Sequence, residues 1–202
     1  ALAIISEALT AHGERPYIAF SSGKDAVART ALVHMLRSDV PLVWSDDELE
    51  YPETIDYMSR LRLVAGGQLT TLLGWTEHAG GFRPWSDEPP WREPFGRSIR
   101  VDCPTDDWMA ASGYTLTFTG LRMEESAKRF AWLVQTGPTY GVRSGTGWRC
   151  CPLWDWTADD VWALIAGWDL PYNAVYDRLE ELAVPRKSQR VGPLPLARRR
   201  DL

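Results

Sequence analysis

The run Pro16-Tyr17-Ile18-Ala19-Phe20 passes directly into Ser21-Ser22-Gly23-Lys24-Asp25 and then into a helical period. This junction constrains the fold more than any other stretch. Five apolar residues in a row suit a buried strand. Beyond Asp25, apolar residues recur at Val27, Ala28, Ala31, Leu32, Met35 and Leu36, which is one stripe of a helix. The alternation repeats downstream. Residues 40–44 read as a second strand, stopped by Ser45-Asp46-Asp47-Glu48. Pro52 opens a helix with Ile55, Met58 and Leu61 on one face. Residues 68–73 and 114–119 are further strands, and residues 124–134 and 161–165 further helices. A capping box at Thr157-Ala158-Asp159-Asp160 opens the last of these. Residues 6–12 read as the end of a short helix before Gly13. Strands alternating with helices predict an α/β fold, an open and mostly parallel sheet with flanking helices.

At 202 residues, 45% apolar and 24% charged, the chain is expected to be globular, with one domain over 1–184 and a tail at 185–202. Residues 74–96 interrupt the pattern. Four prolines (Pro84, Pro89, Pro90, Pro94) exclude a regular element, and Trp75, Trp85 and Trp91 favour an ordered lid. Thr105 can cap a short helix over residues 106–111, and the glycine-rich residues 137–151 read as a loop or hairpin. The net charge of −5 argues against a general nucleic-acid coat. From Pro185 onward six bases meet one acid, so the tail is basic on an acidic body. Such a tail is either solvated or a contact for a protein or nucleic-acid partner. No apolar run spans a membrane. Cys103, Cys150 and Cys151 are too few for a disulfide framework and lack zinc spacing, so a reducing cytoplasm is expected, with no metal site. His12, His34 and His78 are scattered and read as ordinary surface or helix residues.

Parallel sheets bind ligands beyond the carboxyl ends of their strands. Three polar stretches fall at such ends: residues 21–25, 45–50 and 120–129. In the first, Ser21, Ser22 and Gly23 are small enough for an anion to approach the backbone N–H groups. The helix that follows turns its positive end toward that space, and Lys24 adds a charge. A turn that merely uses small residues is the competing reading. A Walker A loop is excluded, because GxxxxGK[ST] is absent.

Ser21-Ser22-Gly23-Lys24-Asp25-Ala26 resembles the SGGKDS pyrophosphate loop of adenine-nucleotide alpha-hydrolase-like (PP-loop) enzymes, which are Rossmann-like. Two further stretches make the chain similar to the phosphoadenylyl-sulfate (PAPS) reductase family. Gly120-Leu121-Arg122-Met123-Glu124-Glu125-Ser126-Ala127-Lys128-Arg129 resembles its G-[IL]-R-x-x-[EQ]-S-x-x-R segment. Pro152-Leu153-Trp154-Asp155-Trp156-Thr157, continued by Leu170-Pro171-Tyr172-Asn173-Ala174-Val175-Tyr176-Asp177, resembles its PLxDWT…LPYNPLYD stretch. The resemblance implies an adenine nucleotide held by Ser21, Ser22, Gly23, Lys24, Asp25 and Ala26. Ser45 and Asp46 would lie near the nucleoside, and Gly120, Arg122, Glu125 and Arg129 would bring charge to phosphate. Lys24, Arg122 and Arg129 would stabilise charge in transfer, with Glu125 orienting one arginine. An ion-pair ladder of Arg122 and Arg129 with Glu124 and Glu125 is the alternative. Trp154, Trp156, Trp162 and Trp168 read as packing residues, and Tyr172-Asn173 as a turn into a helix.

Two departures bear on function. Ala26 replaces the serine that closes the usual loop, removing a hydroxyl donor. No cysteine lies in residues 152–202, so the ECGxH-like motif of sulfonucleotide reductases has no match there. Cys150-Cys151 lacks the later CxxC that a four-cysteine cluster requires, so no iron–sulfur cluster is expected. The residues therefore favour ATP α-phosphate chemistry: adenylyl transfer with pyrophosphate release, assisted by Mg²⁺. Reduction of PAPS or its relative APS by a cysteine outside this sequence, and a non-catalytic nucleotide-binding adaptor in sulfur transfer or nucleic-acid modification, are the alternatives. A homodimer is compatible with each.

Overall fold

The computed structural model of the chain describes residues 1–46, 50–65, 68–73, 112–142 and 147–191. The Trp/Pro-rich stretch 74–96, the Thr105 helix, Cys103 and the last bases of the tail lie outside them. Six strands form one sheet: β1 (Pro16–Phe20), β2 (Leu42–Asp46), β3 (Leu69–Leu73), β4 (Leu116–Phe118), β5 (Thr139–Gly141) and β6 (Trp148–Cys150). Their order is β3-β2-β1-β4-β6-β5. Every pairing is parallel except that of β5 with β6, a hairpin at the sheet's edge. The helices are α1 (Leu2–His12), α2 (Lys24–Leu36), α3 (Pro52–Ala65), α4 (Ala127–Thr136), α5 (Ala158–Gly167) and α6 (Val175–Glu181). Among the described residues no helix is long and apolar enough to cross a membrane.

From β1 the chain moves outward through α2 to β2 and through α3 to β3. The next described strand, β4, lies on the other side of β1. Strand order therefore reverses between β1 and β4, and their carboxyl ends open a crevice there. β1 alternates as a strand buried on both faces must. Ile18 and Phe20 join the main core with Ile5, Leu32, Leu116, Phe118, Val161 and Ile165, while Tyr17 packs with Val43 on the opposite face.

Two expectations need correction. The single apolar stripe on α2 does not hold: α1, α5 and the sheet surround its first turns, burying Lys24, Ala26, Val27, Ala28 and Arg29 together, whereas Met35 and Leu36 at its far end are exposed. The helix expected over 124–134 is split. Met123–Glu125 forms a 3₁₀ turn, and α4 begins only after Ser126, whose hydroxyl accepts the Arg129 N–H at 3.2 Å. The N-terminal helix runs from Leu2 to His12, so residues 6–12 are its end, before Gly13 as expected. Thr157 caps α5 as its sequence signature requires, in a reciprocal box with Asp160.

Candidate functional site

At the end of β1 the chain turns sharply before entering α2. Ser22 sits in the left-handed region (φ 57°) and is fully buried, a conformation that costs a non-glycine residue roughly 1 kcal/mol. Asn173 offsets it, its Nδ2 donating to Ser22 Oγ at 3.4 Å and to Thr54 Oγ1 at 2.8 Å. Gly23 is the N-cap of α2. A Cβ added there would meet Tyr176 Oη at 3.4 Å and the side chains of Ser21 and Val191 at 3.6 Å, so a side chain beyond a methyl would fill the cradle. The Lys24 N–H donates to Tyr176 Oη at 3.1 Å. Burial holds that phenol protonated, its pKa raised to about 12.

The charged groups converge on Asp25. Its two oxygens accept Lys24 Nζ at 3.0 Å and Arg122 Nε at 2.6 Å. Arg122 arrives from the carboxyl end of β4, across the crevice from α2, and is 4% exposed. Its Nη1 also donates to Glu124 Oε2 at 2.6 Å and to the Trp156 carbonyl at 3.1 Å. Burial works to lower its pKa, but Asp25, Glu124 and Glu125 outweigh it and the net shift is upward. Glu125 accepts the Arg122 backbone N–H at 3.0 Å and pairs with the half-exposed Arg129. The structure thus brings Ser21 through Ala26, Gly120, Arg122, Glu125 and Arg129 to one crevice. Arg122 is a buried ion-pair hub there, and Arg129 stands in a helical ladder with Glu125. Ser45 and Asp46 end the neighbouring strand β2, half-buried.

Four participants had no individual signal as site residues: Tyr176, Asn173, Thr54 and Arg29. Asn173 and Tyr176 were legible only as members of the LPYN…YD stretch, and Thr54 only as the end of Tyr51-Pro52-Glu53-Thr54, which resembles a family position after the second strand. The start of the basic tail is also placed here. Thr54 Oγ1 donates to the Val191 carbonyl at 2.9 Å, and the buried Gln189 donates its Nε2 to the Val184 carbonyl at 3.1 Å, so these two residues touch the body beside the cradle.

Cys150 and Cys151 lie beneath the crevice, both fully buried. Burial pushes the Cys150 thiol up to about 12 and raises Cys151 as well, and Cys151 Sγ lies 3.1 Å from Thr119 Oγ1. Neither is a thiolate at neutral pH. Among the described residues no three His, Cys, Asp or Glu side chains cluster to hold a metal ion. A cavity of about 520 Å³ beside His12 and Trp148 lies at the amino ends of β4 and β6, away from all of these groups.

Residues 15–180 match the family model of the phosphoadenosine phosphosulfate reductase domain. The chain is 27% identical over 184 residues to an adenosine 5'-phosphosulfate reductase of Staphylococcus haemolyticus, covering 87% of this chain and 70% of that one. It is 26% identical over 168 residues to a phosphoadenosine 5'-phosphosulfate reductase of Aliivibrio fischeri, covering 81% and 63%. Among solved structures, the PAPS reductase of Candida auris in its phosphate complex matches with a TM-score of 0.60 at 16% identity, over 88% of this chain and 83% of that one. The FMN adenylyltransferase of Candida glabrata matches with a TM-score of 0.60 at 12% identity, over 87% and 55%. At these identities the two structures speak for the shared α/β fold.

Proposed function

The chain belongs to the phosphoadenosine phosphosulfate reductase domain family, and from that premise we propose that its crevice binds an adenosine sulfonucleotide, APS or PAPS, by the sulfate–phosphate end as part of a sulfonucleotide reductase. One observation carries the reading. Three stretches far apart in the chain, the 21–26 loop, the 120–129 segment and the LPYN…YD stretch, close on the first turn of α2, where they are joined by hydrogen bonds from Lys24 to Tyr176 and from Arg122 to Asp25. In this reading Gly23 leaves room for an anion at the start of the helix, and Lys24 and Arg122 exchange part of their pairing with Asp25 for the ligand's oxygens. Ala26 donates its backbone N–H to Gly23 and offers no hydroxyl, so the grip rests on main-chain donors and the two cations.

Reduction would proceed by attack of a thiolate on the sulfate sulfur. The bond from that sulfur to the bridging oxygen breaks, the nucleotide leaves with its phosphate, and a dithiol reductant then releases sulfite. Cys150 and Cys151, buried and protonated, are not placed to supply the thiolate. That same observation favours a second reading, ATP bound for adenylyl transfer, because holding a polyphosphate needs no thiol.

Calorimetric titration with APS, PAPS, ATP and AMP separates them. The expected outcome is binding of a sulfonucleotide in preference to ATP. Gly23→Val should abolish it, and Lys24→Ala should weaken it about tenfold. Binding of ATP without either sulfonucleotide would replace this reading with adenylyl transfer. Binding of none would remove the nucleotide site altogether.

A further inference from the structure

α2 carries an arginine where a helix packed on a sheet ordinarily carries an apolar residue. Arg29 is 1% exposed. The β1–β4 ladder ends at the pair Ile18 and Phe118, and the guanidinium occupies the place where the two strands part. Its Nη2 donates to the Ala19 carbonyl at the end of β1. Its Nη1 lies so close to Gly120, at the end of β4, that a Cβ there would fall 2.5 Å from it. It therefore forms the floor of the crevice whose rim is Asp25 and Arg122. Among the described residues it makes no ion pair, and its Nε has no hydrogen-bond partner. Burial lowers its pKa to about 10, partly opposed by Asp25, which leaves it charged at neutral pH.

The three other cations around Asp25 and Glu125 are paired: Lys24 with Asp25, Arg122 with Asp25 and Glu124, and Arg129 with Glu125. Of these four basic side chains, Arg29 alone makes no ion pair among the described residues. A buried lone cation is unfavourable for the fold by itself, and an apolar side chain of the same volume would serve the packing as well or better. A cation on the floor of a crevice acts on an incoming anion with little screening by salt.

We infer that Arg29 supplies the crevice with a positive charge that no carboxylate pairs, drawing a tetrahedral oxyanion, the sulfate or phosphate end of the ligand, into the crevice without touching it. It is a positioning residue. The inference rests on the nucleotide reading above and adds the source of the attraction.

The test compares wild type with Arg29→Met and Arg29→Lys, using APS and inorganic pyrophosphate as calorimetric probes at two salt concentrations and thermal melting as the measure of folding. Arg29→Met is expected to melt at or above the wild-type temperature and to bind whichever probe the wild type binds about tenfold more weakly at both salts. Arg29→Lys should bind within about threefold of wild type, since it keeps the charge. If the methionine variant does not fold, Arg29→Gln, which can still donate to the Ala19 carbonyl, takes its place with the same expected loss. A neutral variant that folds and binds as tightly as wild type overturns the inference and leaves the nucleotide reading intact. A wild type that binds neither probe overturns the inference, while the titration with PAPS and ATP described above decides the nucleotide reading separately. Weaker binding of pyrophosphate alone, with APS unchanged, also overturns it, because a through-space charge acts on either oxyanion.

Discussion

Replacing Asp25 with asparagine tests whether the ion-pair hub beneath the cradle is set by burial. The carboxylate receives Arg122 Nε at 2.6 Å and Lys24 Nζ at 3.0 Å, with side-chain exposures of 19% for Asp25 and 5% for Arg122. Stripping one partner from a fully buried pair costs about 3–5 kcal/mol, since it leaves the other charge uncompensated. Here Arg122 keeps Glu124 and the Trp156 carbonyl, and the asparagine oxygen can still accept from Nε. The cost is therefore reduced to ~2–3 kcal/mol. For a chain of this size, with a urea m-value of about 2–3 kcal/mol per molar, the midpoint falls by roughly 1 M. Urea unfolding followed by the fluorescence of the chain's tryptophans measures it. Glu124→Gln is the internal comparison. It removes a charge from the same guanidinium at the same 2.6 Å, but Glu124 is 48% exposed, and the expected loss is under about 1 kcal/mol. An Asp25→Asn midpoint within about 0.3 M of wild type would refute the argument, since the expected shift is set by the m-value relation. A Glu124→Gln loss as large as that of Asp25→Asn would refute it equally, because Glu124 is half-exposed with one ion pair whereas Asp25 is mostly buried with two.

Two further outcomes follow from the same neighbourhood. Gly120→Ala places a Cβ 2.5 Å from Arg29 Nη1 and 3.3 Å from Asp25 Cβ; the guanidinium is enclosed and cannot swing clear, so the expected cost is about 1–3 kcal/mol, seen as a fall of several degrees in melting temperature. Above pH 9 the protein should lose stability. Cys150 (ordinarily 9), Tyr57 and Tyr176 (ordinarily 10) are each raised to about 12 by burial, so as pH rises the unfolded chain releases these protons first and is favoured. Each tyrosine contributes a loss of about 2–3 kcal/mol by pH 12. Arg29 acts with the opposite sign above about pH 10, shedding its proton in the fold before it would in the unfolded chain. Urea midpoints measured from pH 8 to 11 check this, and Tyr176→Phe should flatten the decline.

The α/β class, the strand at 16–20, the turn into α2 and the capping box at Thr157 were legible because each is written in neighbouring residues: a run of apolar side chains, three small residues, a hydroxyl three places before a carboxylate. Motif spacing also marked Arg122, Glu125 and Arg129 as belonging with the 21–26 loop. What those residues do to one another was not legible. That Arg122 is buried between Asp25 and Glu124, that the Tyr176 hydroxyl takes the Lys24 N–H, and that Val191 lies against the cradle are contacts across 97, 152 and 137 positions of chain. Arg29 is the clearest case. On a helix drawn by itself it is one cation beside an apolar stripe, a place from which an arginine normally reaches water. Only the parting of β1 from β4, with α1 and α5 closed over α2, turns that side chain inward. Periodicity records which residues dislike water, whereas the enclosure of a charge depends on surfaces that meet only when the chain has folded.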